Sequence, residues 1–163
     1  MTVGHFLGGI AALIWYPPEN TYLLLRRTQD RDSGAGEWEC VTGRVDQGES
    51  FEAALHREVN EELQTSVTIE FLIGTTHFYR GDPRPDNELL GVKYLCSINA
   101  SAVDAISISP EHSEYQWLTL EAIDRLLPAS HWLRQTVHTA ATMQALMTPE
   151  LREWHQSLYR TTP

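Results

Sequence analysis

One segment limits the fold of this chain more than any other. In "VTGRVDQGESFEAALHREVNEELQTSV", from Val41 to Val67, the apolar residues Phe51, Leu55, Val59 and Leu63 recur every fourth position. At 3.6 residues per turn they make a stripe about 120° wide, the core-facing side of a helix over 50–64. Ser50 supplies an N-cap, and Glu52 suits the first turn. The same arithmetic puts Glu58 and Glu62 roughly 20° either side of Phe51, at the margin of the stripe, with Glu61 one step further out. A fold built around this helix must therefore bring these carboxylates to the edge of its core.

A solvated acidic face is the ordinary explanation for a Glu-rich helix, and it fits badly here. Glu58 and Glu62 form an i,i+4 like-charge pair. Such a pair costs a few tenths of a kcal/mol when exposed, and more against apolar surface. A divalent cation is the natural counter-charge. Mg²⁺ and Mn²⁺ prefer oxygen ligands, and Mg²⁺ commonly shares its shell with substrate phosphates. Arg57 neighbours the cluster and reaches Glu61 at i+4, where a planar guanidinium can fix a carboxylate's orientation. Gly43 and Gly48 bracket "RVDQ" just before the helix, where glycine permits positive φ or close approach to a ligand. The stretch "DRDSGAGEWECV" begins like a calcium EF-hand at Asp30. It carries Ala35 where the loop needs Gly and Val41 where it needs a bidentate Glu, which excludes that site.

Composition narrows the function further. A chain of 163 residues suits one compact domain, 1–163, with a core of its own. A net charge of −10 argues against a nucleic-acid polymer or an anionic membrane as partner. It also requires cations between this protein and any anionic substrate. Cys40 and Cys96 show no metal-ligand spacing and read as buried, reduced thiols. Phe6 to Tyr16 is apolar but too short to span a bilayer, with no Lys or Arg before it and no cleavage site after it. It is expected to be a buried strand in a cytoplasmic protein.

Period-2 runs and turn residues predict strands over 9–16, 22–27, 38–42, 67–79, 89–98 and 115–118. A polar, Gly-containing loop is expected over 28–36, and a turn-rich "RGDPRPDN" separates two of the strands. Helices are expected over 120–127 and 132–146. A C-terminal helical extension over 149–160 starts from the Thr148-Pro149 cap and carries Leu151, Trp154 and Leu158 on one face. Strands around a central helix, with more helices closing the chain, give an α/β (α+β) architecture: a mixed β-sheet between helices. The apolar face of the last helix suits burial in the same chain or in a homodimer.

The acidic segment resembles the Nudix box: a Gly, five residues, a Glu, seven residues, Arg-Glu, an aliphatic, any residue, Glu-Glu, any residue, Gly and an aliphatic. Gly43, Glu49, Arg57, Glu58, Val59, Glu61 and Glu62 fall in register, while Gln64 and Thr65 replace the closing Gly and aliphatic. The likeness extends over roughly 9–127, through "LLLRRT", Trp38 and "PEHSEYQWLTLEAI". "VTGRVDQGE" is most similar to dihydroneopterin triphosphate and nucleoside triphosphate pyrophosphohydrolases.

This resemblance implies an α/β/α sandwich with a mixed sheet. It also implies Mg²⁺ (or Mn²⁺)-dependent hydrolysis of a pyrophosphate bond in a nucleoside or pterin phosphate. Glu58, Glu61 and Glu62 would be metal ligands, the Gly43 carbonyl would complete the shell, and Glu49 would support it from outside. The general base would be a box Glu or a Glu from a later loop, with Glu111 as the candidate and Glu114 as its rival. Arg26 or Arg27 would meet substrate phosphate, Trp38 would stack on a base or pterin ring, and His77, Phe78 and Tyr79 would line the other side of that pocket. A non-catalytic nucleotide-binding regulator on the same fold is the alternative, though a pure binder has no need of the repulsion among Glu58, Glu61 and Glu62.

Overall fold

The structure is a computed structural model that describes residues 5–29 and 34–159. Residues 30–33 of the loop expected over 28–36, including the start of the EF-hand-like stretch, lie outside the described residues, as does residue 160 of the expected tail.

A seven-stranded mixed sheet organises the chain. At its centre is β1 (Leu7–Tyr16), an almost unbroken apolar run, as expected of a strand covered on both faces. It pairs in parallel with β6 (Glu88–Ser97), from Leu7 opposite Leu89 to Trp15 opposite Ser97. The outer neighbour of β6 is β5 (Thr68–Tyr79), antiparallel to it and broken by two register shifts. On the other side of β1 lie β2 (Thr21–Arg27) toward its C-terminal end and β4 (Val41–Arg44) toward its N-terminal end. The run expected as one strand over 38–42 is thus two. Trp38–Glu39, strand β3, pairs with β2, and the chain then steps at Cys40 onto β1. β7 (His112–Leu118) covers the outer edge of β2 and starts three residues earlier than its sequence pattern suggested.

Alternation along these strands sorts the core into two layers. Ile10, Ala12, Ile14, Leu23, Leu25, Val41, Tyr94 and Cys96 face α1 (Phe51–Leu63). Ala11, Leu13, Tyr22, Leu24, Trp38, Cys40, Phe71 and Leu95 face α3 (Leu120–Leu126) and α4 (Trp132–Leu146). Both cysteines are buried and reduced, as expected. A four-residue helix, α2 (Ala100–Val103), and a 3₁₀ turn at Pro85–Asn87 were not legible in the sequence pattern. Among the described residues, no helix is long and apolar enough to cross a membrane.

Two expectations about the acidic helix need correction. Phe51 is 39% exposed, because it opens the helix and a helical side chain leans back over the preceding turn. The buried residues are Ala54, Leu55, Val59, Glu62 and Leu63, an arc of about 180°. Glu62 therefore lies inside the buried face rather than at its margin.

α5 (Pro149–Leu158) packs against β5 through polar groups. Arg152 and Gln156 bond the buried Glu70 carboxylate at 3.2 and 3.0 Å, and the His155 ring meets Phe71. Its Leu151, Trp154 and Leu158 remain exposed, so they do not bury against their own chain.

Gln64 ends α1 in the left-handed region, with φ 53° and ψ 33°, and donates its N–H to Asn60 O at 2.9 Å. The helix therefore finishes as though a glycine stood there, and a non-glycine residue carries strain of about 1–2 kcal/mol in that conformation. Gln64→Gly is expected to raise the urea midpoint, stabilising the fold by about 1 kcal/mol. A lower midpoint would mean that the Gln64 side chain contributes more than its backbone strain removes.

Candidate active site

Arg57 joins the helix to the loop before it. Its Nε and Nη2 donate to the two Glu49 oxygens at 2.8 and 2.9 Å. Nη1 donates to Glu58 at 2.8 Å and to Glu61 at 3.3 Å, and Nη2 also reaches the Arg44 carbonyl at 2.8 Å. Glu49 in turn accepts the Asp46 amide at 3.0 Å, which closes the loop. This fork-to-fork pairing pulls the Glu49 carboxyl down to about 2. Glu49 is thus an anchor for Arg57, outside the Glu58/Glu61 pair that Arg57 orients.

Gly43 faces Glu58 from β4. A Cβ built on Gly43 would overlap the Glu58 carboxylate. Gly43 does not have positive φ, whereas Gly48 does, at 89°. The glycine at 43 is required for close approach, and what approaches is a carboxylate of the helix. β4 holds it there through the pairing of Gly43 with Ile10.

Burial sets the electrostatics. Glu58 is mostly buried and Glu62 more so, while Glu61 is exposed. Desolvation pushes the Glu62 carboxyl up to about 9, and the charges of Glu39, Glu58 and Glu111 add to this; a hydrogen bond from the Thr42 backbone amide opposes it. The Glu62 Oε2 atom is buried without a hydrogen-bond partner. Desolvation also raises Glu58, against the pull of Arg57.

A second group of charges, which sequence reasoning missed as a unit, lies behind Glu62. Glu39 accepts from Arg27 Nη1 at 2.9 and 3.1 Å, from Thr42 Oγ1 at 3.3 Å and from His112 Nε2 at 3.0 Å. His112 is almost fully buried, and its Nε2 is 3.9 Å from Glu62 Oε2. Strand alternation was the available signal: Leu23, Leu25 and Arg27 share the helix-facing side of β2, and Glu39 stands opposite Leu25.

Of the residues expected around the cluster, Glu111 is near enough for its charge to raise both Glu58 and Glu62. The loop that carries it is tied to the end of α1, since Ser109 N–H donates to Glu62 O at 2.8 Å. Glu114 instead pairs with Arg26 at 2.9 Å, and the Arg26 guanidinium lies 5.8 Å from the centre of the Trp38 ring. Trp38 belongs to the layer facing α4, so Arg26, Trp38 and Glu114 sit on the opposite side of the sheet from Glu58 and Glu62. The structure does not bring them together with the acidic cluster, because adjacent strand residues point to opposite faces. His77 and Tyr79 are on the helix-facing side of β5, where His77 bonds Glu88 at 2.9 Å and stacks edge-on to Tyr79. β5 is three strands from β4, or about 14 Å at the usual ~4.8 Å spacing, so these rings flank the site at a distance. Two clefts, of about 410 and 320 Å³, lie at the other end of β1, around Pro17–Pro18 and around Trp15 and Arg152.

Among the described residues, no three His, Cys, Asp or Glu side chains are already gathered as a ligand set. Arg57 holds one Glu58 oxygen, and Glu61 points outward. The donor chemistry nevertheless fits a hard cation: carboxylates crowd around an unpartnered buried oxygen, Glu62 Oε2.

Comparisons with known proteins agree with this architecture. A family model described as the NUDIX domain matches residues 7–140. A nucleoside triphosphatase, NudI, from Klebsiella pneumoniae is 32% identical over 106 residues, covering 61% of this chain and 74% of that protein. The crystal structure of a MutT protein from Methanosarcina mazei superposes with a TM-score of 0.69 at 22% identity, over 91% of this chain and all of that one. The dihydroneopterin triphosphate pyrophosphohydrolase of E. coli superposes with a TM-score of 0.63 at 23% identity, over 82% of this chain and 95% of that one.

The buried Glu62 makes folding pH-dependent. Its folded value, about 9, exceeds the ordinary value of about 4.3 in an unfolded chain, so the folded state holds this proton more tightly. The resulting stabilisation is complete below about pH 4.3 and is lost as pH rises through about 9. In metal-free buffer, Glu62→Gln and wild type are expected to melt together near pH 4 and to diverge as pH rises. The variant should be higher by at least about 3 °C at pH 8, at ~2–4 °C per kcal/mol for a chain this size. Parallel melting profiles across that range would show that Glu62 does not titrate in this way.

Proposed function

Because this chain belongs to the Nudix hydrolase family, we propose that it is a Mg²⁺-dependent pyrophosphohydrolase of nucleoside triphosphates or of a closely related pterin triphosphate. Water would attack a phosphorus of the chain, and the products would be a monophosphate and pyrophosphate. The observation that carries this reading is the buried pair of acids Glu58 and Glu62, with the unpartnered Glu62 Oε2. A fold that only bound a nucleotide would gain nothing from burying two acids side by side. The triphosphate class is supported by the likeness to NudI, whose name gives it as a nucleoside triphosphatase.

Glu58, Glu61, Glu62 and the Gly43 carbonyl would hold the metal, which when bound neutralises charge on the phosphates and makes water a better nucleophile. The remaining work falls to the chain. Arg57 keeps Glu58 and Glu61 oriented, with Glu49 as its anchor. Glu111 takes the proton from the attacking water, since it is the acid outside the box whose charge reaches Glu58 and Glu62. Base or pterin recognition would fall on the α1 side of the sheet, with His77 and Tyr79 at its far margin.

Several tests bear on this assignment. A panel of nucleoside triphosphates, dihydroneopterin triphosphate, dinucleoside polyphosphates and nucleotide sugars, with products identified by mass, should give a monophosphate and pyrophosphate from a triphosphate. Activity confined to nucleotide sugars or dinucleotides would reject the triphosphate class. Glu62→Gln should lower kcat/KM by about 10²-fold or more, as loss of a charge-stabilising group does. Glu111→Gln should lower kcat by about 10²–10⁴-fold, the usual contribution of a general base. If Glu111→Gln keeps full activity while Glu58→Gln loses it, the base is in the box.

A further inference from the structure

We infer that His112 is a positioning residue for Glu111: a bulge at Ser113 turns it to the α1 side of the sheet, and its buried bond to Glu39 holds the loop before it against the acidic helix. This deepens the reading of Glu111 as the general base and rests on it. β7 meets β2 in regular antiparallel register from Leu118 opposite Tyr22 to Glu114 opposite Arg26, and then slips. His112 rather than Ser113 stands opposite Arg27, so Ser113 is an extra residue on β7. Its hydroxyl donates to the Arg26 carbonyl at 3.3 Å. The slip changes the face that the preceding residues present. Side chains alternate, so without the extra residue His112 would share the side of Glu114, which pairs with Arg26 on the face away from α1. With it, His112 enters the α1 side, almost fully buried, and its Nε2 meets Glu39 Oε1 at 3.0 Å. A carboxylate only accepts, so Nε2 carries the proton.

Glu39 is a firm anchor for that bond. Arg27 Nη1 holds both of its oxygens, at 2.9 and 3.1 Å, and Thr42 Oγ1 reaches it at 3.3 Å. The backbone before His112 is tied to the end of α1. Ser107 and Ser109 donate their N–H groups to the Leu63 and Glu62 carbonyls at 2.9 and 2.8 Å, and His112 N–H donates to Ser109 O at 3.1 Å. Thr28 N–H donates to the Glu111 carbonyl at 3.0 Å. Glu111 thus sits between a backbone clamped to the helix and an imidazole clamped to Glu39, which keeps its charge near Glu58 and Glu62. An imidazole is a costly residue to bury here, because its Nδ1 has no hydrogen-bond partner among the described residues. Leucine would fill the space without that cost but could not bond Glu39. The bond to Glu39 is therefore what the histidine contributes.

The test follows pyrophosphate release from the best substrate among ATP, GTP, CTP, UTP and dihydroneopterin triphosphate, at saturating Mg²⁺. Circular dichroism confirms that each full-length variant is folded. His112→Leu should lower kcat by about 10-fold or more, on the scale of the ~10²-fold that a 1 Å misplacement can cost, with KM little changed. His112→Gln, whose amide can still donate to Glu39, should recover most of that loss. The deciding measurement is a double-variant cycle. Added to Glu111→Gln, His112→Leu should lower kcat by less than about 2-fold, since the group it positions is already gone. His112→Asn, with an amide too short to reach Glu39, replaces His112→Leu if that variant does not fold. A structural residue would lower kcat by the same factor in both backgrounds, and that result overturns the inference. So does loss of fold in both the Leu and Asn variants. Weakened binding of Mn²⁺ alone to folded His112→Leu would also overturn it, by placing the effect at Glu62, whose Oε2 is 3.9 Å from His112 Nε2. Full activity in Glu111→Gln itself would instead remove the reading of Glu111 as the base.

Discussion

Glu62 is the constraint to which the rest of this structure answers. It occupies the middle of a helix face otherwise made of Ala54, Leu55, Val59 and Leu63, over strands that present Ile10, Ala12 and Leu25. A carboxylate in that position loses its hydration and has other carboxylates, Glu39 and Glu58, as neighbours. Burial and like charge both favour its neutral form, which is why its value rises so far. A chain selected for stability alone would place a leucine there. On the proposed reading a divalent cation would complete the site by displacing the proton.

The scaffold around Glu62 is arranged to keep that arrangement from collapsing. Among the described residues, Arg57 and Arg27 are each matched to carboxylates other than Glu62. Arg57 is shared among Glu49, Glu58 and Glu61, and Arg27 is held by Glu39. The sheet makes the separation possible. β2 and β3 direct Arg27 and Glu39 toward the helix, and send Arg26 and Trp38 to the opposite layer. β4 brings a residue without a Cβ against Glu58, so helix and strand can approach to a distance that any side chain would forbid. Backbone pairing, alternation and ion pairing each fix a different member of the same site.

Much of this was legible in the sequence, and what was not has identifiable causes. The amphipathic period of 51–63 gave the helix, and the alternating runs gave the sheet, because both patterns are local. The box residues Gly43, Arg57, Glu58, Glu61 and Glu62 come together because they lie on one helix and the strand just before it. The Glu39–Arg27–His112 group escaped, because its members come from three strands that pair only in the folded sheet. The buried arc of α1 also differs from the stripe that hydrophobicity alone marks out. Phe51 is hydrophobic, but its position at the helix start decides its exposure. Arg26 and Trp38 lie on the face of β2 and β3 away from α1, and one residue of parity separates the two sides of the sheet, which composition alone does not reveal.

The protein's own charge bears on how a phosphate chain could be held. The chain carries a net charge of −10, and a triphosphate is strongly anionic. Arg26, Arg27 and Arg57 would be obvious phosphate contacts, yet the structure ties each to glutamate: Arg26 to Glu114, Arg27 to Glu39, and Arg57 to Glu49, Glu58 and Glu61. Lys93, in the middle of the sheet, points to the other layer and bonds Thr136. These four side chains therefore do little to reverse the field at the acidic helix. On the proposed reading the attraction for phosphate would come from an ion that the glutamates themselves recruit, so that carboxylates which repel an anion in the free protein would become the means of binding it.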